Sequence, residues 1–303
     1  MTLAFTHTSV LLDEVVALLA PAPGKHMIDG TLGGGGHAEA LLRKGASVLG
    51  VDRDPNALHA AAERLGSFPG FVARQGNFSE LDQIAADRLP VEGIVLDLGV
   101  SSPQLDEPER GFSFRTEGPL DMRMGKEGET AMALIERSDE ASLAKLIFEL
   151  GEESFARPIA RALKRTAPKT TLEAASAVAS AVPRARWPTR VHVATKTFQA
   201  LRMAVNDELG SLQRFLETLP SLLAHHGVAA VIAFHSLEDR AVKHAFRRME
   251  GQCACPPGFP ECRCEAKGAF EVKTRKAITA SPAEVAANPR ARSARLRAVE
   301  KVR

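Results

Sequence analysis

Apolar residues in the first hundred positions come in short unbroken runs, separated by helical and Gly-bearing stretches. Residues 26–29, 47–52 and 93–98 read as buried strands, and 71–74 as a weaker one. Between them, 37 to about 44, 55–65 and 81–88 carry helical patterns, with Pro55 suited to a first turn. Strand, helix, strand at this spacing predicts a parallel sheet with right-handed crossovers. The rhythm then changes. Residues 104–128 are rich in Gly, Pro and charge and show no apolar period. From 131 to about 209 the pattern is helical, over 141–150, 154–165, 171–181 and 195–209, with no strand signal of equal strength. The sheet pattern resumes with a helix over 212–224, a strongly apolar strand over 228–234 and a helix over 237–249. Residues 270–273 and 294–302 fit closing antiparallel strands. The expected fold class is α/β, a sheet domain with an inserted all-helical domain, divided as 1–108, 109–208 and 209–303.

Composition narrows the class without naming a partner. The 303 residues are 45% hydrophobic and 25% charged, which is globular and neither disordered nor membrane-spanning. Residues 1–13 lack the basic start and long apolar stretch of a signal peptide, so a cytoplasmic location is expected. The net charge of +2 is modest, but it is unevenly spread. Arg184, Arg186, Arg190 and Lys196 surround the single tryptophan, Trp187. Arg290, Arg292, Arg295, Arg297, Lys301 and Arg303 crowd the C-terminal end. Either cluster is a phosphate-contacting surface or a solvated face.

The sharpest local chemistry is Asp29-Gly30-Thr31-Leu32-Gly33-Gly34-Gly35-Gly36-His37, directly after the first strand. Such a turn lets backbone pass close to a nucleotide at the carboxyl edge of a parallel sheet. Asp52 ends the second strand, where an acid bonds ribose hydroxyls. A dinucleotide site shares both features. Asp29 before the glycines and Asp97 at the end of the fourth strand favour S-adenosylmethionine, because a pyrophosphate would be repelled by both while a sulfonium and an amino group would be attracted. Phe78 stands where it either packs on an adenine or belongs to the core. The segment Asp97-Leu98-Gly99-Val100-Ser101-Ser102-Pro103-Gln104 offers a carboxylate and a turn at the ligand edge. Transfer to an exocyclic base amine needs such acceptors, to draw the amine toward tetrahedral geometry and hold it in line. Ser102-Pro103 is similar to the Ser-Pro-Pro-aromatic element of amino-group DNA methyltransferases. It departs from that element at Gln104, so stacking is left to Phe112, Phe114 or Trp187. Phe234-His235-Ser236-Leu237-Glu238-Asp239-Arg240 is a dense polar run after an apolar strand. It makes His235 a pocket-lining or proton-accepting candidate, with capping by Ser236 toward Asp239 as the structural alternative. The catalytic candidates are thus Asp97, Ser102 and His235. Cys253, Cys255, Cys262 and Cys264 form two C-x-C pairs. This spacing is tighter than the usual C-x2-C and leaves zinc or reduced loop cysteines open, and no metal is assigned.

Blocks along the whole chain resemble the bacterial 16S rRNA (cytidine N4) methyltransferase family, also written RsmH or MraW. They include His7-Thr8-Ser9-Val10-Leu11-Leu12, Asp29-Gly30-Thr31 with its glycines and His37, and Asp52-Arg53-Asp54-Pro55. Leu96 to Asp106, Arg110-Gly111-Phe112-Ser113-Phe114 and Pro119 to Met124 continue the match. Gly151-Glu152-Glu153, Thr197 to Arg202, Phe234 to Arg240 and Asn288 to Ser293 complete it, in order. The resemblance implies a class I, Rossmann-like methyltransferase sheet and methylation of the N4 amine of a cytidine in the decoding region of 16S rRNA. The partner would be that rRNA within the small ribosomal subunit. By matching positions it implies cofactor contact at Gly35, Gly36, His37, Asp52, Phe78, Asp97 and Gln104, beside Asp29 and Gly33 of the turn. Arg115 and Arg123 would lie near phosphate. No general base carries over.

Overall fold

The structure is a computed structural model that describes residues 9–125, 127–189, 191–251 and 268–303. The four-cysteine segment and its zinc question lie outside the described residues, as do His7, Thr8 and Arg190. The chain divides into two units, 1–99 with 210–303, and 100–209.

In the first unit, helix α1 (Leu12–Leu19) precedes β1 (His26–Asp29), α2 (Gly36–Arg43), β2 (Ser47–Asp52), α3 (Pro55–Leu65), β3 (Phe71–Gln75), α4 (Leu81–Ile84) and β4 (Val91–Asp97). The second unit contributes α5 (Ser102–Asp106), α6 (Ala131–Arg137), α7 (Glu140–Gly151), α8 (Ala156–Thr166), α9 (Thr171–Ala181) and α10 (Thr195–Asn206). The chain returns through α11 (Glu208–Leu222) to β5 (Leu223–Ala233), α12 (Ser236–Met249), β6 (Phe270–Val272), α13 (Pro282–Ala287) and β7 (Arg295–Lys301).

The seven strands form one mixed sheet in the order β3-β2-β1-β4-β5-β7-β6. The first five are parallel, and β7 runs antiparallel to both β5 and β6. That order, with its reversed seventh strand, is the class I methyltransferase sheet. Apolar side chains alternate between its faces. Ile28, Leu49, Ile94, Leu96, Ala229 and Val231 pack with α11 and α12 residues such as Phe215 and Phe246. Met27, Val48, Val95, Ala230 and Ile232 pack on the other face with Val15, Leu19 and Leu41. Burial on both faces is why the strands read as unbroken apolar runs. The sheet turns at β1, where the chain leaves the β1-β2-β3 half for β4. Ligands settle at such a switch point, outside the carboxyl ends.

The unit 100–209 has its own core, with Leu134, Leu143, Ile147, Ile159, Leu163, Val178, Phe198 and Leu201 among its buried residues. Its helices are capped by short side chains: Thr130, Asp139 and Thr170 each accept a backbone N–H at the start of α6, α7 and α9.

Candidate functional site

Three carboxylates of the sheet unit stand at the carboxyl ends of neighbouring strands. Asp29 closes β1, Asp52 closes β2 and Asp97 closes β4. The turn after β1 is pinned to its neighbours by backbone: Gly30 N donates to Val95 O and Leu32 N to Val51 O, both at 3.0 Å. Gly33 adopts φ +48° and donates its N–H to Asp52 Oδ2 at 2.8 Å. Gly35, at φ +76°, is the N-cap of α2, and a Cβ there would sit 2.8 Å from Leu65 Cδ1. No L side chain suits both that backbone and that contact. Gly36 opens α2 and backs onto Ser9. The position of a Cβ on Gly34 meets nothing within 4 Å, so the turn presents bare backbone to open space.

Electrostatics single out the acids. Burial raises the Asp29 pKa to about 7. The Thr31 and Ala38 N–H groups oppose that rise, and the charge of Asp52 adds to it. Burial and then the negative charges of Asp29 and Glu238 raise Asp97 to about 8. Asp52 is also raised by burial, against hydrogen bonds from Asp54 and Gly33. Asp97 Oδ1 is buried without a hydrogen-bond partner among the described residues. The other oxygen, Oδ2, stands 4.0 Å from His37 Nδ1. His37 Nε2 lies 3.0 Å from the Val10 carbonyl, which can only accept, so Nε2 carries a hydrogen and the ring is held with Nδ1 toward Asp97.

Two residues missed at the level of sequence complete this arrangement. Thr31 Oγ1 accepts the Asp97 N–H at 2.6 Å, which fastens the first turn to the end of β4. Glu238, 2% exposed, accepts the Phe234 N–H at 2.9 Å and places a further negative charge near Asp97. The signal for Glu238 lay in the polar run after β5. No pattern announced Thr31, whose partner is 66 residues away.

The remaining candidates fall differently. His235, not Ser236, is the N-cap of α12: its Nδ1 accepts the Glu238 N–H at 3.4 Å. Nδ1 is therefore bare and Nε2 carries the hydrogen. Nε2 lies 3.2 Å from Glu238 Oε1, yet at an angle that makes no hydrogen bond. Capping and acid contact together fix the ring. Phe78 is half-buried in the sheet core, edge-on to Phe215 at 6.1 Å between centroids. Gln104 lies in the other unit as the third residue of α5. It forms a capping box with Ser101, whose N–H donates to Gln104 Oε1 at 3.0 Å. Ser102 is the first residue of α5.

Within 100–209, an open cleft of about 470 Å³ is lined by Phe114, Arg115, Leu172, Ala175, Ser176 and His192, with Ala179. Phe114 packs on His192 at 4.9 Å and on Phe198 at 4.7 Å, and Trp187 lies 6.0 Å from His192. The Arg184 guanidinium covers the Trp187 ring at 3.9 Å. Phe112, by contrast, is 7% exposed and belongs to the core, so it offers no stacking face. Arg123 is held by both oxygens of Asp121, whereas Arg115 is exposed at the cleft.

A ligand for the sheet edge must suit buried carboxylates with raised pKa values, an unsatisfied acceptor and an open glycine turn. A pyrophosphate meets repulsion at each acid. S-adenosylmethionine brings a sulfonium and an ammonium, which stabilise the ionised acids and relieve their mutual repulsion. The residues present fit that group.

Comparison with known proteins agrees. Residues 4–302 match the MraW methylase family. The chain is 62% identical over 299 residues to the ribosomal RNA small subunit methyltransferase H of Myxococcus xanthus (strain DK1622), covering 99% of this chain and 98% of that protein. It is 56% identical over 306 residues to the protein of the same name from Anaeromyxobacter sp. (strain Fw109-5), covering 99% of each. With that of Pelobacter propionicus (strain DSM 2379 / NBRC 103807 / OttBd1) it shares 48% over 312 residues, 98% of this chain and 99% of the other. A match along the full described sheet and the glycine turn leaves one conclusion: the chain belongs to the MraW methylase family, and S-adenosylmethionine is its methyl donor.

Proposed function

We propose that this protein methylates the exocyclic N4 amine of a cytidine in the decoding region of 16S rRNA, within the small ribosomal subunit. The observation that carries the chemistry is the buried, unpartnered Asp97 Oδ1 at the ligand edge of a methylase-family sheet. The rRNA target is supported by relatives named for it and by the residue blocks that resemble the cytidine N4 family.

When bound, S-adenosylmethionine supplies an electrophilic methyl group. The chain's own residues do the rest. Asp29, Asp52 and the Gly33–Gly36 turn hold the cofactor, with His37 behind Asp97 and with Phe78 as a further contact. An exocyclic amine is a weak nucleophile because its lone pair is delocalised into the ring. Asp97 Oδ1 accepts one amine hydrogen, which localises the lone pair and aligns it. After transfer the amine carries an extra proton, and Asp97 is the nearby group able to take it. His235 lines the base pocket and, fixed by Glu238, positions rather than exchanges protons. The unit 100–209 recognises the RNA through the aromatic cleft and the Arg184–Trp187 pair.

The test is incubation with radiolabelled S-adenosylmethionine and small subunits from a strain lacking this gene, followed by mass spectrometry of the nucleosides. N4-methylated cytidine at one site, lost in Asp97→Ala, is the expected result. Tight cofactor binding with no label in any RNA would replace this reading with a protein substrate or an assembly role.

A further inference from the structure

Several flank cations of the sheet unit are matched with acids. Arg43 and Arg64 share Glu39, Arg74 pairs with Asp87, Lys273 with Glu300, and Arg297 with Asp239. Helix α12 concentrates cations without such partners on one helical face. At 3.6 residues per turn, Lys243, His244, Arg247 and Arg248 fall on one face. The buried Val242, Ala245 and Phe246 take the opposite one. The acids of α12 do not reach the outward face: Glu238 is buried, and Asp239 is bound to Arg297. Among the described residues, Lys243, Arg247 and Arg248 form no ion pair with any carboxylate. Three uncompensated cations within six residues repel one another mildly in water, and a polyanion laid along them would turn that repulsion into attraction.

Their placement relative to Asp97 bears on a ligand. The helix starts at Ser236, just beyond the carboxyl end of β5, where Ile232 pairs in register with Asp97. At about 1.5 Å per residue, the cations lie roughly 10 to 18 Å along the axis from that edge. Arg295, in register with Ala233 and half exposed, stands at the same end of the strands. A polyanion whose reacting base sits at Asp97 would run its neighbouring phosphates along this ridge.

We propose that the outward face of α12 is a phosphate-binding ridge that holds the sugar-phosphate backbone of the RNA flanking the methylated base. The inference rests on the RNA-methylation reading above. The ridge reads no sequence; it fixes the register of the strand and adds a salt-dependent share of the affinity.

The test compares the full-length protein with Lys243→Gln/Arg247→Gln/Arg248→Gln on small subunits, measuring methylation kinetics and binding across salt concentrations. The expected result is a KM for subunits raised about tenfold or more, with cofactor Kd and melting temperature unchanged. The slope of log affinity against log salt should fall by about two to three, since each lost phosphate contact removes close to one counterion. A charge-keeping variant, Arg247→Lys/Arg248→Lys, should retain the parent KM. Lys25→Gln/Lys44→Gln, which removes charge at the amino edge of the sheet, should change neither quantity. An unchanged KM and slope in the triple variant, while the parent protein methylates RNA, overturns the ridge alone. Failure of the parent to label any RNA overturns the methylation reading and the ridge with it.

Discussion

Asp97 and Asp29 carry pKa values of about 8 and 7, several units above an ordinary carboxyl. Both are therefore largely neutral in the free protein near pH 6, and a cationic ligand must bring out their protons. Cofactor affinity should rise as pH increases from 6 to 8, by up to about tenfold per unit where one proton is released. Titration calorimetry at pH 7 in buffers of different ionisation enthalpy should detect that release. Stability runs the other way. A folded pKa raised above the unfolded value contributes stability fully below about pH 4, and that stability is lost as pH rises through about 8. Asp97→Asn should accordingly raise the melting temperature of the ligand-free protein by several degrees at pH 8.5, and by progressively less toward pH 4. The same variant should bind cofactor more weakly. A melting difference that is flat with pH would show that Asp97 ionises normally.

At the scale of elements, the turn between β1 and α2 couples backbone geometry to ligand access. Gly35→Ala must place a Cβ at φ +76° against Leu65, which costs about 1–3 kcal/mol. It should lower the denaturation midpoint and weaken cofactor binding together. Most elements of the sheet were legible from sequence because both sheet faces are covered, so β1, β2, β4 and most of β5 are apolar runs. Where the reading failed, tertiary contacts decided. The helix expected over 81–88 ends at Ile84, because Arg74 takes the Ile84 carbonyl and Arg88 N turns instead to Ala85 O. Strand β5 starts at Leu223 instead of 228, since Leu223 pairs with Val91 beyond a register shift. Helix α1 went unread because Asp13 and Glu14 look like an interruption. They are first-turn acids of a helix that buries Val15 and Leu19. The same division holds at the site. Asp29, Asp52 and Asp97 announce themselves at strand ends, whereas Thr31 and Glu238 acquire their roles through contacts that only the fold creates.

In the proposed function the two units have separate tasks. The proposed donor-binding acids lie in the sheet unit, and the open aromatic cleft lies within 100–209. Leu172 is 42% exposed at that cleft, so Leu172→Glu adds negative charge without disturbing the core. If the cleft engages RNA, this variant should raise the KM for small subunits about tenfold while leaving cofactor Kd and melting temperature at their parent values. A rise in cofactor Kd instead would tie the cleft to the donor site. No helix among the described residues is long and apolar enough to cross a membrane.

The helical unit leaves the chain after β4 and returns at α11, so it occupies one connection of an otherwise ordinary strand-helix-strand crossover. Everything from 100 to 209 is, topologically, a single loop. A gene can lengthen, shorten or replace such a stretch in one event without cutting a strand or reordering the sheet. Descendants of this architecture can thus exchange the whole 100–209 surface while inheriting the sheet edge with Asp29, Asp52 and Asp97 intact; if that surface selects the substrate, change in target should outpace change in chemistry.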